Sequence, residues 1–139
     1  MNRKPSQSLM TSLGQATADI DMNQDLKDLT HSLREFARER EWEQFHSPKN
    51  LASALAVEAA ELLEIFQWLS ENQSRELAAA QKEEVGQEAA DVLLYLLQLC
   101  DKLDIDLLQA ARAKLKANGL RYPVQSARGN SRKYTEFEP

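Results

Sequence analysis

Four carboxylates stand where two helices ought to be apolar. They are Glu58 and Glu61 and, after 26 intervening residues, Glu88 and Asp91. At about 100° per residue, Glu58 falls at the centre of a stripe made by Leu51, Leu55, Leu62, Ile65 and Leu69, with Glu61 roughly 60° to one side. Glu88 falls in the same way among Val85, Val92, Tyr95 and Leu99, with Asp91 flanking it. An unpaired carboxylate in an apolar interior costs several kcal/mol even after relaxation. The inward faces of these two helices offer no Arg or Lys to offset that cost, which leaves a divalent cation. A lone Glu-x-x-Glu is most simply a solvated helix face, but two pairs centred on apolar stripes are not. Carboxylate oxygens without His or Cys suit a hard ion, Mg²⁺ with Mn²⁺ as a substitute. The i, i+3 spacing sets both oxygens of a pair on one side of a turn. The only histidines are His31 and His46, and the one Glu-x-x-His run, Glu43 to His46, falls in the connector between helices, so a di-iron bundle, which needs such a pair on each of two helices, is disfavoured. All-oxygen sites suit phosphate chemistry, in which Mg²⁺ bridges phosphate oxygens and acidifies water.

Helices must position these groups. Gly and Pro total only eight among 139 residues, and Leu, Ala, Glu, Gln and Lys are abundant, so helix is favoured over sheet. Leu26, Leu29, Leu33, Phe36 and Ala37 repeat at helical spacing and predict a first helix over about 25–42. Ser47-Pro48 reads as an N-cap followed by proline at the first helical position, opening a helix that runs to about Leu69. Ser70 to Ser74 is a polar break before a third helix over roughly 76–101. Asp104 is a plausible cap for a fourth helix over about 105–117, which Asn118-Gly119 closes. Residues 1–22 have no clear period and read as a flexible arm, 23–120 as the helical domain and 121–139 as a tail. Four amphipathic helices with short connectors predict an all-α, four-helix-bundle-like fold.

A net charge of −5 argues against a DNA- or RNA-binding surface. Cys100 lies in an apolar run and reads as a small buried hydrophobe, not a reactive thiol. A lone cysteine suits a reducing compartment. No apolar stretch approaches bilayer length, and the N-terminal residues lack the long apolar run of a signal peptide, so a cytoplasmic protein is expected.

The pattern Glu58-x-x-Glu61 … Glu88-x-x-Asp91 resembles the signature of the MazG-type all-α pyrophosphohydrolases. The run Arg40 to Leu51, which includes Trp42-Glu43-Gln44-Phe45-His46 and Pro48-Lys49-Asn50, is similar to the dCTP pyrophosphatase branch of that family. So are Glu64 to Trp68, Asp91 to Leu96, Arg121-Tyr122-Pro123 and Ser131 to Thr135. Glu58-Ala59-Ala60-Glu61 stands where the family reads Glu-Val-Gly-Glu. Asn118-Gly119-Leu120 is less basic than its counterpart. The resemblance implies cleavage of a nucleoside triphosphate between its α- and β-phosphates, with Glu58, Glu61, Glu88 and Asp91 as metal ligands and catalytic groups. It implies a role in nucleotide-pool housecleaning and a tetramer built as a dimer of dimers.

Trp42, Phe45, Trp68 and Tyr95 could stack on a pyrimidine or simply pack in the core. The resemblance favours the base pocket for Trp42 and Trp68, and raises His46 as a sugar or base contact. Lys49 and Asn50 sit at a helix N-terminus, where anions are favoured. Lys114 and Arg121 could meet phosphate, and Asn118 could read a base edge or merely cap its helix. Two other readings stay open: a non-enzymatic helical interaction module, and a related pyrophosphohydrolase acting on another substrate such as phosphoribosyl-ATP.

Overall fold

The computed structural model describes residues 8–137, with side chains from residue 23 onward. Every element of regular structure among them is helical: α1 (Ser8–Glu39), α2 (Pro48–Glu64), α3 (Glu71–Arg75), α4 (Ala79–Lys102), α5 (Leu107–Arg121) and α6 (Val124–Ala127). Two 3-10 turns, Trp42–Phe45 and Tyr134–Glu136, complete the set. The chain divides into two compact units between Asp104 and Ile105.

In the first unit α2 packs mainly on α4, and α1 packs on α4 and on the 3-10 turn. Among the described residues the buried apolar side chains are Ala37, Leu51, Leu97 and Cys100, of which Leu51 is fully buried. They come from the end of α1, the start of α2 and the end of α4. Burial is only partial further along α2, where the carboxylates stand. Arg34 on α1 and Asp101 on α4 add a two-pronged ion pair. Nε donates to Oδ2 at 2.7 Å and the second prong joins the guanidinium to Oδ1. Because Arg34 is more than half exposed, solvent screening limits the pair to about 1 kcal/mol or less.

The start of α2 is as expected. Ser47 Oγ accepts from the Asn50 amide at 3.2 Å, and Pro48 takes the first helical position. Other boundaries differ from expectation. Helix α1 begins at Ser8 instead of near Asp25, because no proline interrupts the sequence after Pro5. Of the arm expected over 1–22, residues 1–7 lie outside the described residues. At its other end α1 stops at Glu39, and Glu41 turns the chain with φ 54.

Helix α2 ends at Glu64, and residues 65–68 form turns, the Phe66 and Gln67 amides both donating to the Leu63 carbonyl. β-branched and aromatic side chains lose rotamer freedom in a helix, and Ile65, Phe66 and Trp68 crowd this stretch. The polar break is itself a short helix, α3. Its capping box pairs Ser70 Oγ with the Gln73 amide (3.3 Å) and Gln73 Oε1 with the Ser70 amide (2.8 Å).

The last helix of the expected four is displaced at both ends. Asp104 is not its cap but adopts a left-handed φ of 54; Asp106 caps α5, accepting from the Gln109 amide at 2.9 Å. Asn118-Gly119 does not close the helix, which continues to Arg121. The effective stop is Pro123, which disfavours α geometry in the residue before it. Within the second unit Tyr122 meets Tyr134 and Phe137 edge-on, at 5.8 and 5.9 Å between ring centres.

Candidate metal centre

Helices α2 and α4 bring three of the four expected carboxylates together. One oxygen each of Glu58, Glu88 and Asp91 lies within 4.8 Å of the others, so the three could hold a metal ion. The fourth, Glu61, is exposed beside them. Its charge is felt by both Glu58 and Glu88. Glu58 also feels Asp91 more than Glu88, whereas Glu88 feels Glu61 and Glu64.

Several observations fit this set to a hard cation. Glu58 and Glu88 are half-buried, and Glu88 Oε2 is shielded from solvent with no hydrogen-bond partner. Burial raises the carboxyl of Glu58, helped by the charges of Glu61 and Asp91 and by a hydrogen bond with Glu61. Burial likewise raises Glu88, helped by Glu61 and Asp91 and then by Glu64 and Glu84. Among the described residues, none of the ion pairs engages Glu58, Glu61, Glu88 or Asp91. An orphaned, shielded oxygen in an all-oxygen donor set is the setting in which Mg²⁺ or Mn²⁺ relieves like-charge crowding.

Tyr95 stands one turn beyond Asp91 on α4 and is half-buried. Trp42 is 45% exposed and lies edge-on to Phe36 (5.7 Å) and His46 (6.2 Å). His46 is half-buried and lines a small cavity between the end of α1, the 3-10 turn and α4. Lys49 is exposed in the first turn of α2. Asn50 is also exposed, and its side-chain amide donates to the Phe45 carbonyl at 2.9 Å, tying the 3-10 turn to the helix start. Phe45 and Trp68 are not core residues: they are 60% and 87% exposed. In the second unit, Lys114 and Arg121 are exposed, and Asn118 is half-buried with its carbonyl accepting from the Tyr122 amide.

Sequence reasoning passed over Glu64 and Glu84. The signal was present, since Glu58, Glu61 and Glu64 step by three and Glu84, Glu88 and Asp91 by four and three. It passed over Gln98 as well, which spacing alone does not distinguish from any other helical glutamine.

A model of the MazG-like family matches residues 54–137, a span that contains all four carboxylates. The chain belongs to the MazG-like family. It is 44% identical over 114 residues to dCTP pyrophosphatase 1 of Mus musculus, covering 81% of this chain and 67% of that protein. It is 44% identical over 119 residues to dCTP pyrophosphatase 1 of Homo sapiens, with the same shares covered. Among solved structures, a pyrophosphatase from Archaeoglobus fulgidus is similar at a TM-score of 0.68 and 45% identity, over 71% of this chain and 93% of that one. Within the matched span Glu58 and Glu61 lie on α2 and Glu88 and Asp91 on α4.

Proposed function

We propose that this protein is a divalent-cation-dependent nucleoside triphosphate pyrophosphohydrolase acting on dCTP or a base-modified dCTP. It releases the monophosphate and pyrophosphate, as a housecleaning enzyme of the nucleotide pool. The observation that carries the reading is the meeting of Glu58, Glu88 and Asp91 oxygens within 4.8 Å, with Glu88 Oε2 left unpartnered. The relatives named dCTP pyrophosphatase 1 support the substrate class.

Glu58, Glu88 and Asp91 would hold Mg²⁺, with Glu61 as the fourth carboxylate at the edge. Bound there, Mg²⁺ supplies charge neutralisation for the phosphate chain and lowers the pKa of water. The partial burial of Glu58 and Glu88 keeps the site poorly solvated, which strengthens each electrostatic contact made in it. Trp42 and His46 flank the base, Tyr95 stands between base and carboxylates, and Lys49 and Asn50 offer a helix start to an anion.

The enzyme works as a homo-oligomer. Val57, Leu63 and Trp68 are 55%, 63% and 87% exposed, which is apolar surface that association would cover. Among the described residues no helix is long and apolar enough to cross a membrane.

The test is product analysis with dCTP, dTTP, dATP, dGTP, CTP and phosphoribosyl-ATP, each with Mg²⁺ and with EDTA. Pyrophosphate and dCMP from dCTP, only in Mg²⁺, are expected. Turnover of phosphoribosyl-ATP alone, or of nothing by folded protein in Mg²⁺, would replace the reading with one of the two alternatives above.

A further inference from the structure

The carboxylates account for phosphate chemistry but not for choice among bases. A partly open cavity of about 30 Å³ lies on the first unit, walled by Glu43, His46, Gln98 and the Arg34–Asp101 ion pair. We propose that Gln98 determines specificity there, its side-chain carbonyl accepting a hydrogen bond from the exocyclic amino group of the substrate's base. The inference rests on the pyrophosphohydrolase reading and deepens it.

Four observations carry it. The cavity holds no more than a few waters, small for a whole nucleotide but suited to a group on a ring's edge that displaces a water. Gln98 Nε2 donates to the Leu94 carbonyl of its own helix at 3.2 Å, so its acceptor oxygen is the atom left without a partner. Arg34 and Asp101 are already paired through both carboxylate oxygens, which occupies the charged acceptor nearest Gln98. Of the remaining cavity groups, Glu43 is a second acceptor, and Lys102 is exposed.

Position agrees with chemistry. Gln98 stands seven residues after Asp91 on α4, on the same face and about 10 Å along the axis. That is the order of the separation between the α-phosphate and the base edge in an extended nucleotide. Trp42 lies edge-on to His46, which lines the cavity, and can cover the ring that stays outside. An acceptor at this point favours cytosine, whose edge presents N4–H₂, and disfavours uracil, whose O4 would face it lone pair to lone pair.

The experiment compares kcat/KM for dCTP and dUTP in the full chain, beside Gln98→Met and Gln98→Glu. Gln98→Met keeps the side chain's length and removes the acceptor, while Gln98→Glu keeps an acceptor. In Gln98→Met the dCTP-to-dUTP ratio is expected to fall about tenfold or more, dCTP losing its hydrogen bond and dUTP losing the lone-pair clash, because a site built around a hydrogen bond loses that margin when the bond is removed. Gln98→Glu is expected to keep the preference for dCTP. An unchanged ratio, a parallel loss for both substrates, or a wild-type enzyme indifferent between them would overturn the role of Gln98 and leave the pyrophosphohydrolase reading standing. Absence of pyrophosphate from every nucleotide would overturn that reading and this inference with it.

Discussion

Glu88 holds an oxygen that is shielded from water and that nothing in the fold bonds, and its carboxyl is raised by burial and by its acidic neighbours. Linkage fixes the sign of the consequence. As pH climbs past the ordinary Glu value of about 4.3, the unfolded chain ionises first and the folded chain lags. Stability in EDTA is therefore expected to fall with rising pH until the raised Glu58 and Glu88 have both titrated. Glu88→Gln is expected to flatten that slope and raise the melting temperature at neutral pH in EDTA. It is also expected to abolish most of the stabilisation by Mg²⁺ and to cut turnover on the order of a hundredfold or more. Thermal denaturation across pH with and without Mg²⁺ checks all but the last, which needs an activity assay. Asp101 has the opposite sign, because the hydrogen bond from Arg34 holds its carboxyl low. Its contribution is present above the ordinary Asp value of about 3.9 and is lost as pH falls through the lowered one. Asp101→Asn is expected to shallow that acid limb, by no more than about 1 kcal/mol given the exposure of Arg34. The meeting of Glu58, Glu88 and Asp91 was legible in sequence because each helix carries its carboxylates on an apolar stripe, whereas Glu61, read with them, is exposed beside the cluster. Arg34, Asp101 and Gln98 were not, since what marks them is a partner 67 residues away or a cavity formed by three separate elements.

At the scale of elements, sequence was readable where a backbone group has one local solution. Ser47-Pro48 is such a place, and removing its hydroxyl in Ser47→Ala is expected to cost about 1 kcal/mol in urea denaturation. Where several local solutions compete, the tertiary setting decides. Asn118-Gly119 carries the usual signature of a helix end, yet α5 runs on until Pro123 forces the issue. Asp104 looks like a cap, but Asp106 does the capping and Asp104 takes the left-handed turn. Glu41 likewise turns the chain between α1 and the 3-10 turn at φ 54, a conformation that costs an L side chain about 1–2 kcal/mol and glycine nothing. Glu41→Gly is thus expected to stabilise the fold by roughly 1 kcal/mol, reduced by the added freedom of the unfolded chain. A loss of stability would mean that the Glu41 side chain holds the turn. These boundaries matter for function, since the turn after α1 sets Trp42 against His46.

The whole molecule is acidic, with α2 and α4 supplying a concentrated negative centre and few fully buried side chains around it. Such a centre gains from a cation, and such thin burial gains from association. Sedimentation is expected to give a mass that is a multiple of 15.8 kDa. Trp68→Glu, at the most exposed large apolar side chain, is expected to shift it toward the single chain; a monomer at all concentrations would instead leave Val57, Leu63 and Trp68 to another partner. All-α class followed from composition and period alone. The division between Asp104 and Ile105 did not, because compactness depends on contacts between distant residues. The most direct measurement is separation of the products formed from dCTP in Mg²⁺ by the wild-type chain and by Asp91→Asn. Equal amounts of dCMP and pyrophosphate from the wild type, at least a hundredfold less from the variant and none in EDTA, are expected. Release of dCDP and inorganic phosphate, or turnover undiminished in Asp91→Asn, would contradict a carboxylate-held cation cleaving between the α- and β-phosphates.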